Sequence, residues 1–286
     1  MPPTATPTRS SGLSGMTDKD FKRLSDFIHV EVGIKLPPSK KVMVEARLQK
    51  RLRLLDMPHY RAYLEYLFSP DGLDSEIVHL IDVITTNTTE FFREPRHFEI
   101  MTQDTLPAWR EANGVVRPFR LWSAGCSTGE EPYTLCIVLS EFAQRAPGFR
   151  FSITATDIST RVLALAQNGV YPEERVAKMP LDLKRRYFLR SKDRAKKLVR
   201  LVPEVRGRID FRRLNFMEPF SFPEHMDTIF CRNVMIYFDR VTQEQLLQKF
   251  CTQLRTGGFL FIGHSESLTG MDLPLRQHAP TVYKKI

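Results

Sequence analysis

Apolar residues along the first third of the chain recur at helical spacing. Phe21, Leu24, Phe27 and Ile28 follow Thr17-Asp-Lys-Asp20, a polar run with capping chemistry, and predict a helix. Gly33 and Pro37-Pro38 interrupt it, and Ser39 is placed to cap a second helix reaching about Leu55. In that helix Val42, Met43, Ala46, Leu52 and Leu55 alternate with basic residues, which predicts one apolar and one cationic face. Short helices follow around Tyr60 to Phe68 and Leu73 to Val83, separated by Ser69-Pro-Asp-Gly72. Residues 16–83 thus read as a small all-helical domain.

Beyond Thr85 short apolar runs alternate with amphipathic stretches. Strands are predicted at Phe119 to Ala124, Phe151 to Thr156, Thr228 to Cys231 and Phe259 to Ile262, with another at Pro280 to Lys284. Helices are predicted between them, from Glu131 to Gln144, from a Ser159 cap to Gln167, and from Val241 to Leu254, closed by Gly257-Gly258. This alternation predicts an α/β domain over residues 84–286 built on a doubly wound sheet. Leu198 to Val202 and Ile209 to Phe211 fit that scheme poorly. They read as strands of a small inserted β-element at about 179–211, with Arg190 to Lys197 as its hairpin turn.

Composition narrows the class. No apolar run approaches the roughly 20 residues that a membrane span needs. Met1 to Gly15 is rich in Pro, Thr, Ser and Gly and reads as a disordered tail, not as a signal peptide. Cys126, Cys136, Cys231 and Cys251 form no Cys-x-x-Cys pair and suit buried thiols of a cytoplasmic protein. The histidines make no metal-binding pattern, so no metal is expected.

Charge changes the picture more, because the net +9 is uneven. Lys40, Lys41, Arg47, Lys50, Arg51 and Arg53 crowd the second helix against the single acid Glu45. From Glu173 to Arg213 there are fifteen basic residues against six acids. Both patches imply an acidic partner: nucleic acid, anionic lipid or an acidic protein.

Four segments carry candidate chemistry. Ser123-Ala-Gly-Cys-Ser-Thr-Gly-Glu-Glu131 links a strand to a helix, where open α/β sheets bind ligands. Gly125 and Gly129 could let backbone approach a ligand, but their spacing is not that of a phosphate loop. Glu130 and Glu131 would repel a pyrophosphate and attract a sulfonium or ammonium. The bland reading is a tight turn with a solvated acidic helix start. Asp157, at a strand end, suits a ribose diol; otherwise it caps the next helix, a role Ser159 also offers. Arg232, Asn233 and Tyr237 leave another strand end in Phe230-Cys-Arg-Asn-Val-Met-Ile-Tyr-Phe238. Thr85-Thr-Asn-Thr-Thr-Glu-Phe-Phe-Arg93 is too polar for core and too aromatic for a plain linker.

These segments, with Gly263-His-Ser-Glu266, resemble the bacterial chemotaxis receptor methyltransferases, the CheR family, in the same order from Met16 onward. The resemblance implies a Rossmann-like methyltransferase sheet and transfer of a methyl group from S-adenosylmethionine to glutamate side chains of chemoreceptors, leaving S-adenosylhomocysteine. It implies cofactor contacts at Asn87, Thr89, Arg93, Glu131, Asp157, Asn215, Phe216, Arg232 and Asn233. Arg93 and Tyr237 would lie beside the transferring methyl. The basic helix, Lys40 to Arg53, would dock on the receptor, and the chain would act as a monomer. In members whose β-subdomain grips a receptor's C-terminal pentapeptide, the hairpin carries glycines. Here Arg190-Ser-Lys-Asp-Arg-Ala-Lys-Lys197 has none, which leaves pentapeptide binding open.

The implied reaction needs no base, since a glutamate side chain (ordinary pKa about 4.3) is already ionised near neutral pH. Two other readings remain at this level. A nucleic-acid methyltransferase would use the basic patches on phosphates. However, Arg232-Asn-Val-Met-Ile-Tyr237 lacks the prolines of the Asn-Pro-Pro-Tyr-like segments used for amine methylation. A non-catalytic cofactor-sensing module would have no need of both Arg93 and Tyr237.

Overall fold

The computed structural model describes residues 15–286, so the tail expected at Met1 to Gly15 lies outside the described residues apart from Gly15. The chain forms two compact units, one holding residues up to Glu31 and Lys35–Ile84, the other Val32–Ile34 and Thr85–Ile286.

The smaller unit is all-helical: α1 (Asp18–Val32), α2 (Lys41–Leu54), α3 (Tyr60–Leu67) and α4 (Pro70–Ile84). The Thr17 hydroxyl accepts the Asp20 N–H at 3.1 Å and opens α1. Ser39 does not cap α2. It lies inside a 3-10 turn, Pro38–Lys40, that leads into the helix without a side-chain cap. The buried face of α2 differs in part from the expected one: Leu52 is in the core as expected, but Val44 and Leu48 are there with it, while Val42 is 74% exposed. Aliphatic residues occur all round this helix, so its periodicity admitted more than one face. α4 packs against α2, and the same unit buries Leu24 and Ile28 of α1, Tyr63, Leu64 and Leu67 of α3, and Leu80 and Ile84 of α4.

The larger unit opens with α5 (Arg96–Ile100), which continues through a π-turn into α6 (Leu106–Asn113), a helical stretch the hydrophobic pattern did not bring out. Then come β1 (Phe119–Ala124), α7 (Glu130–Arg145), β2 (Phe151–Asp157) and α8 (Thr160–Asn168). After an inserted sheet, the fold resumes with β6 (Ile209–Arg213), β7 (Met226–Cys231), α11 (Arg240–Gln253), β8 (Leu254–Ile262), β9 (Leu275–Ala279) and β10 (Val282–Lys285). The seven strands lie in the order β6-β2-β1-β7-β8-β10-β9. The first five are parallel neighbours, and β10 runs antiparallel to both β8 and β9. This is the doubly wound sheet expected, although α11 ends at Gln253 and Gly257-Gly258 sits inside the long strand β8.

The chain runs outward from β1 through β2 to β6, then returns to lay β7 on the other side of β1. The sheet therefore has its switch point between β1 and β7, and loops leaving their carboxyl ends frame a crevice. Side chains alternate across the sheet. Phe119, Leu121, Phe230 and Phe261 join a core with Leu135 and Leu139 of α7, whereas Trp122, Ala124, Ile229 and Ile262 join one with Leu246, Leu247 and Phe250 of α11.

The insertion is a three-stranded sheet, β3-β5-β4: β3 (Val170–Pro172), β4 (Phe188–Arg190) and β5 (Leu198–Leu201), with α9 (Leu181–Tyr187) inside it and α10 (Pro203–Arg206) after it. It begins earlier than the sequence suggested. Ile209–Arg213 does not belong to it, because that segment pairs in parallel with β2 as the edge of the main sheet. In the hairpin, Asp193 caps a 3-10 turn and Lys197 takes φ +47°, a conformation glycine would favour.

Candidate active site

The loop after β1 turns on Gly125 (φ +80°) and Gly129 (φ +96°). A Cβ on Gly125 would meet Val234 Cγ2 at 2.5 Å, and one on Gly129 would meet Ala166 Cβ at 2.9 Å and Tyr171 Oη at 3.0 Å. Both glycines are thus required by the turn and by packing against protein, so they carry no independent sign of a ligand approaching the backbone.

The two acids behind this loop are already matched. Glu130 is buried and ion-paired with Arg175, and Thr128 Oγ1 donates to it at 2.6 Å. Glu131 accepts the Ser123 hydroxyl on Oε1 at 2.8 Å and Arg232 Nε on Oε2, also at 2.8 Å. A carboxylate with two lone-pair sites per oxygen keeps acceptor capacity beyond these bonds. The loop nevertheless does not present two bare negative charges, as the sequence suggested.

Asp157 ends β2 and ties two loops: its Oδ2 accepts Ser127 N–H at 2.8 Å and its Oδ1 accepts Ser159 N–H at 3.0 Å. The Ser159 hydroxyl separately caps α8 by accepting Val162 N–H at 3.3 Å. Burial and the Asp157 and Glu131 charges push the neighbouring Cys126 thiol well up, so it stays protonated and inert. Past β6, Asn215 turns the chain by accepting Met217 N–H at 3.0 Å, while Phe216 packs edge-on against Trp122 and Phe250.

Arg232, just after β7, is the hub. It pairs with Glu131, donates to the Arg93 carbonyl at 2.6 Å, and reaches Glu94 Oε2 at 3.5 Å and His97 Nδ1 at 3.3 Å. It also lies over the rings of Phe98 and Phe230. The carbonyl bond fastens the Thr85–Arg93 segment to the end of β7. The Asn87 carbonyl, which accepts Ser127 Oγ at 3.0 Å, and the Thr89 carbonyl, which accepts Arg175 at 2.7 Å, fasten it to the β1 loop and the insertion. Arg175 and Glu94 escaped the sequence reading because nothing in their neighbourhood marks their long-range partners.

Two side chains are left with chemistry to offer. Arg93 donates to the Thr88 carbonyl at 3.1 Å and has no acidic partner among the described residues. Tyr237 lies on a 3-10 turn, Met235–Tyr237, and its hydroxyl bonds to no described residue. Asn233, at φ +60°, gives its side-chain amide to Glu94 at 3.4 Å. Glu94, His97 and His264 form a group whose ligating atoms lie within 4.8 Å of one another. Arg232 already stands against two of them, and a second cation there would meet its repulsion. Burial, then the Arg232 charge, pushes His97 down to about 4, so it is neutral near pH 7.

The site therefore gathers carboxylates, amides and an arginine at the ends of the strands flanking the switch point. A family model for the "CheR methyltransferase, SAM binding domain" matches residues 87–283, and one for the "CheR methyltransferase, all-alpha domain" matches residues 19–85. The chain belongs to the CheR methyltransferase family. It is 39% identical over 284 residues to chemotaxis protein methyltransferase 2 of Pseudomonas aeruginosa, covering 98% of this chain and 99% of that protein. It is 38% identical to the chemotaxis protein methyltransferase of Escherichia coli K12, over 94% of this chain and 91% of that one. Identity to the Borreliella burgdorferi chemotaxis protein methyltransferase is also 38%, over 94% and 95% of the two chains. Likeness to a solved glycopeptide N-methyltransferase, MtfA, complexed with S-adenosylmethionine is slight, with a TM-score of 0.31 at 15% identity over 56% and 53% of the chains. The larger unit is the family's S-adenosylmethionine-binding methyltransferase domain. No described helix is long and apolar enough to cross a membrane.

Within the helical unit, the six basic residues expected to form one docking face divide. Arg51 makes a bidentate pair with buried Glu76 at 2.7 and 2.6 Å, and Glu76 also accepts the Tyr63 hydroxyl at 3.0 Å. Arg47 donates to the Ile84 carbonyl at 2.5 Å, closing the end of α4, and Lys41 bonds Asp18 at 2.7 Å. Lys40, Lys50 and Arg53 are exposed and have no acidic partner among the described residues.

Proposed function

We propose that this chain transfers a methyl group from S-adenosylmethionine to glutamate side-chain carboxylates of chemoreceptors, giving methyl esters that adjust signalling. The observation that carries the reading is Arg93. It is a site arginine with no acid of its own, whereas Arg232, which donates to its carbonyl, and Arg175, which donates to the Thr89 carbonyl, are both ion-paired. An unmatched guanidinium suits an incoming carboxylate, and its planar fork suits that shape.

The donor set fits the cofactor. Asp157 stands where a strand-end acid receives a ribose diol, and Glu131 has acceptor capacity for an ammonium. Asn215 and Phe216 would flank the adenine, and Asn87, Thr89, Arg232 and Asn233 would complete the pocket. When bound, S-adenosylmethionine supplies an electrophilic methyl. The chain's own residues then have three tasks. Arg93 holds the carboxylate nucleophile in line, Tyr237 hydrogen-bonds to it or to the cofactor, and the closed loops strip water from a weak nucleophile. No side chain has to move a proton, because the nucleophile is already ionised. Lys40, Lys50 and Arg53 would steer the helical unit onto an acidic receptor surface.

The test uses labelled cofactor with receptor-rich membranes, followed by alkali. Carboxyl methyl esters release volatile methanol, whereas methylated amines and amides do not. Label that stays bound after alkali, or that appears on nucleic acid instead, refutes the reading.

A further inference from the structure

We propose that Glu266 is a positioning residue for methyl transfer, holding the turn that follows β7 in the shape that presents Tyr237. The inference rests on the reaction proposed above. Glu266 touches none of the residues assigned to the carboxylate. It acts through the backbone.

A chain leaving a parallel strand and not yet in a helix has N–H groups without ladder partners, and each must find an acceptor. Here one carboxylate answers for four of them. Glu266 Oε1 accepts Val234 N–H at 3.0 Å and Met235 N–H at 2.8 Å; its Oε2 accepts Asn233 N–H at 3.1 Å and Gly263 N–H at 2.6 Å. Bonds to an ionised acceptor are the strong kind. Three consecutive amides are thereby aimed at one point, which requires Asn233 to adopt φ +60°, a conformation that costs free energy outside glycine. Gly263 makes this possible: a Cβ there would lie 2.5 Å from Asn233 Nδ2 and 2.7 Å from its backbone nitrogen. The carbonyl side of the same turn is held by Gln243, whose Nε2 donates to Met235 at 2.8 Å and Phe238 at 3.1 Å. Tyr237 is on the turn fixed from both sides, yet its own hydroxyl has no partner among the described residues. A rigid backbone bearing an unengaged hydroxyl suits a group kept ready for a ligand.

Glu266→Gln tests this with little change of shape. The amide leaves one acceptor oxygen and turns an NH2 toward two of the N–H donors. Amide hydrogen exchange at Asn233, Val234, Met235 and Gly263 should quicken about tenfold or more. The kcat for methyl transfer should fall about tenfold or more, with the receptor KM within about twofold. In a Tyr237→Phe background the same change should cost less than about threefold, because the two act as one unit. Glu266→Asp, which keeps the charge, should recover part of the rate. Unchanged exchange overturns the proposal, as does quickened exchange with kcat intact, or an undiminished loss in the Tyr237→Phe background. A wild-type chain that makes no alkali-labile methyl ester overturns the reaction itself, and the exchange measurement still decides whether Glu266 holds the turn.

Discussion

Arg232 at the end of β7 is matched on several sides, by Glu131, by a carbonyl and by Glu94, whereas Lys50 and Arg53 on α2 face solvent with no acid among the described residues. Both regions are cationic in sequence. In the first, burial makes an unpaired charge too costly, so Arg232 is built into a network. In the second, water solvates the charge and it stays available to a partner. The same division runs inside each region. Arg93 is left over at the site while Arg175 and Arg232 are engaged, and Arg47 and Arg51 are engaged on α2 while Lys40, Lys50 and Arg53 are not. Local charge density thus says little about function until the partners are counted.

The largest effect expected comes from breaking the matched side. Arg232→Met should leave Glu131 and Glu94 poorly compensated and cost about 3–5 kcal/mol of stability. Denaturant titration measures that loss, and calorimetry with S-adenosylhomocysteine should find cofactor binding weakened with it. A loss below about 1 kcal/mol would mean the network contributes little. The unmatched side should behave in the opposite manner. Arg93→Ala should lower methyl transfer about hundredfold at saturating substrate while the melting temperature stays put. Arg93→Lys should restore only a small part, because a point charge cannot reproduce the fork. Intact turnover in Arg93→Ala would remove it from the reaction.

How much of this was legible in the sequence depended on the range of the interaction. Phe119 to Ala124 forms β1 with the bounds its apolar run suggested, and Ser159 caps α8 as its position implied, since both are set by neighbours in the chain. The motif loops do leave strand ends at the switch point. What stayed hidden was set at a distance. The buried face of α2 is set by its partners in the unit, α4 among them. Ile209 to Phe211 reads as part of the insertion, but β2 recruits Ile209–Arg213 as an edge strand. The acids Glu130 and Glu131 looked like a bare anionic pair, yet their cations come from residues 175 and 232, far along the chain. Glu266 appeared in a motif with no role to suggest, because its partners are backbone amides, which carry no residue signature.

Acid offers a further way to stress the matched network. His97 is held neutral, at about 4 against an ordinary 6.5, by burial and by Arg232. The unfolded chain takes up a proton below about pH 6.5 and the folded chain does not, so stability present above that pH is lost as pH falls toward about 4. From about pH 6.5 to pH 5 the loss from this residue should be about 2 kcal/mol. Denaturation midpoints of wild type and His97→Gln should converge over that interval. Parallel curves would mean that His97 titrates normally.

The smallest effect expected concerns the exposed side of α2. Lys50→Glu with Arg53→Glu should raise the receptor KM only several-fold, since surface pairs are each worth about 1 kcal/mol or less. It should also flatten the salt dependence of docking, because fewer charges remain to be screened. The kcat at saturating receptor should not move. Arg51→Met gives the contrast within the same helix. It removes an equally basic residue but strands Glu76 beside the Tyr63 hydroxyl, so it should lower the melting temperature and leave the salt dependence of docking unaltered. If Arg51→Met instead weakened docking more than the double reversal did, the distinction between engaged and available cations on α2 would fall.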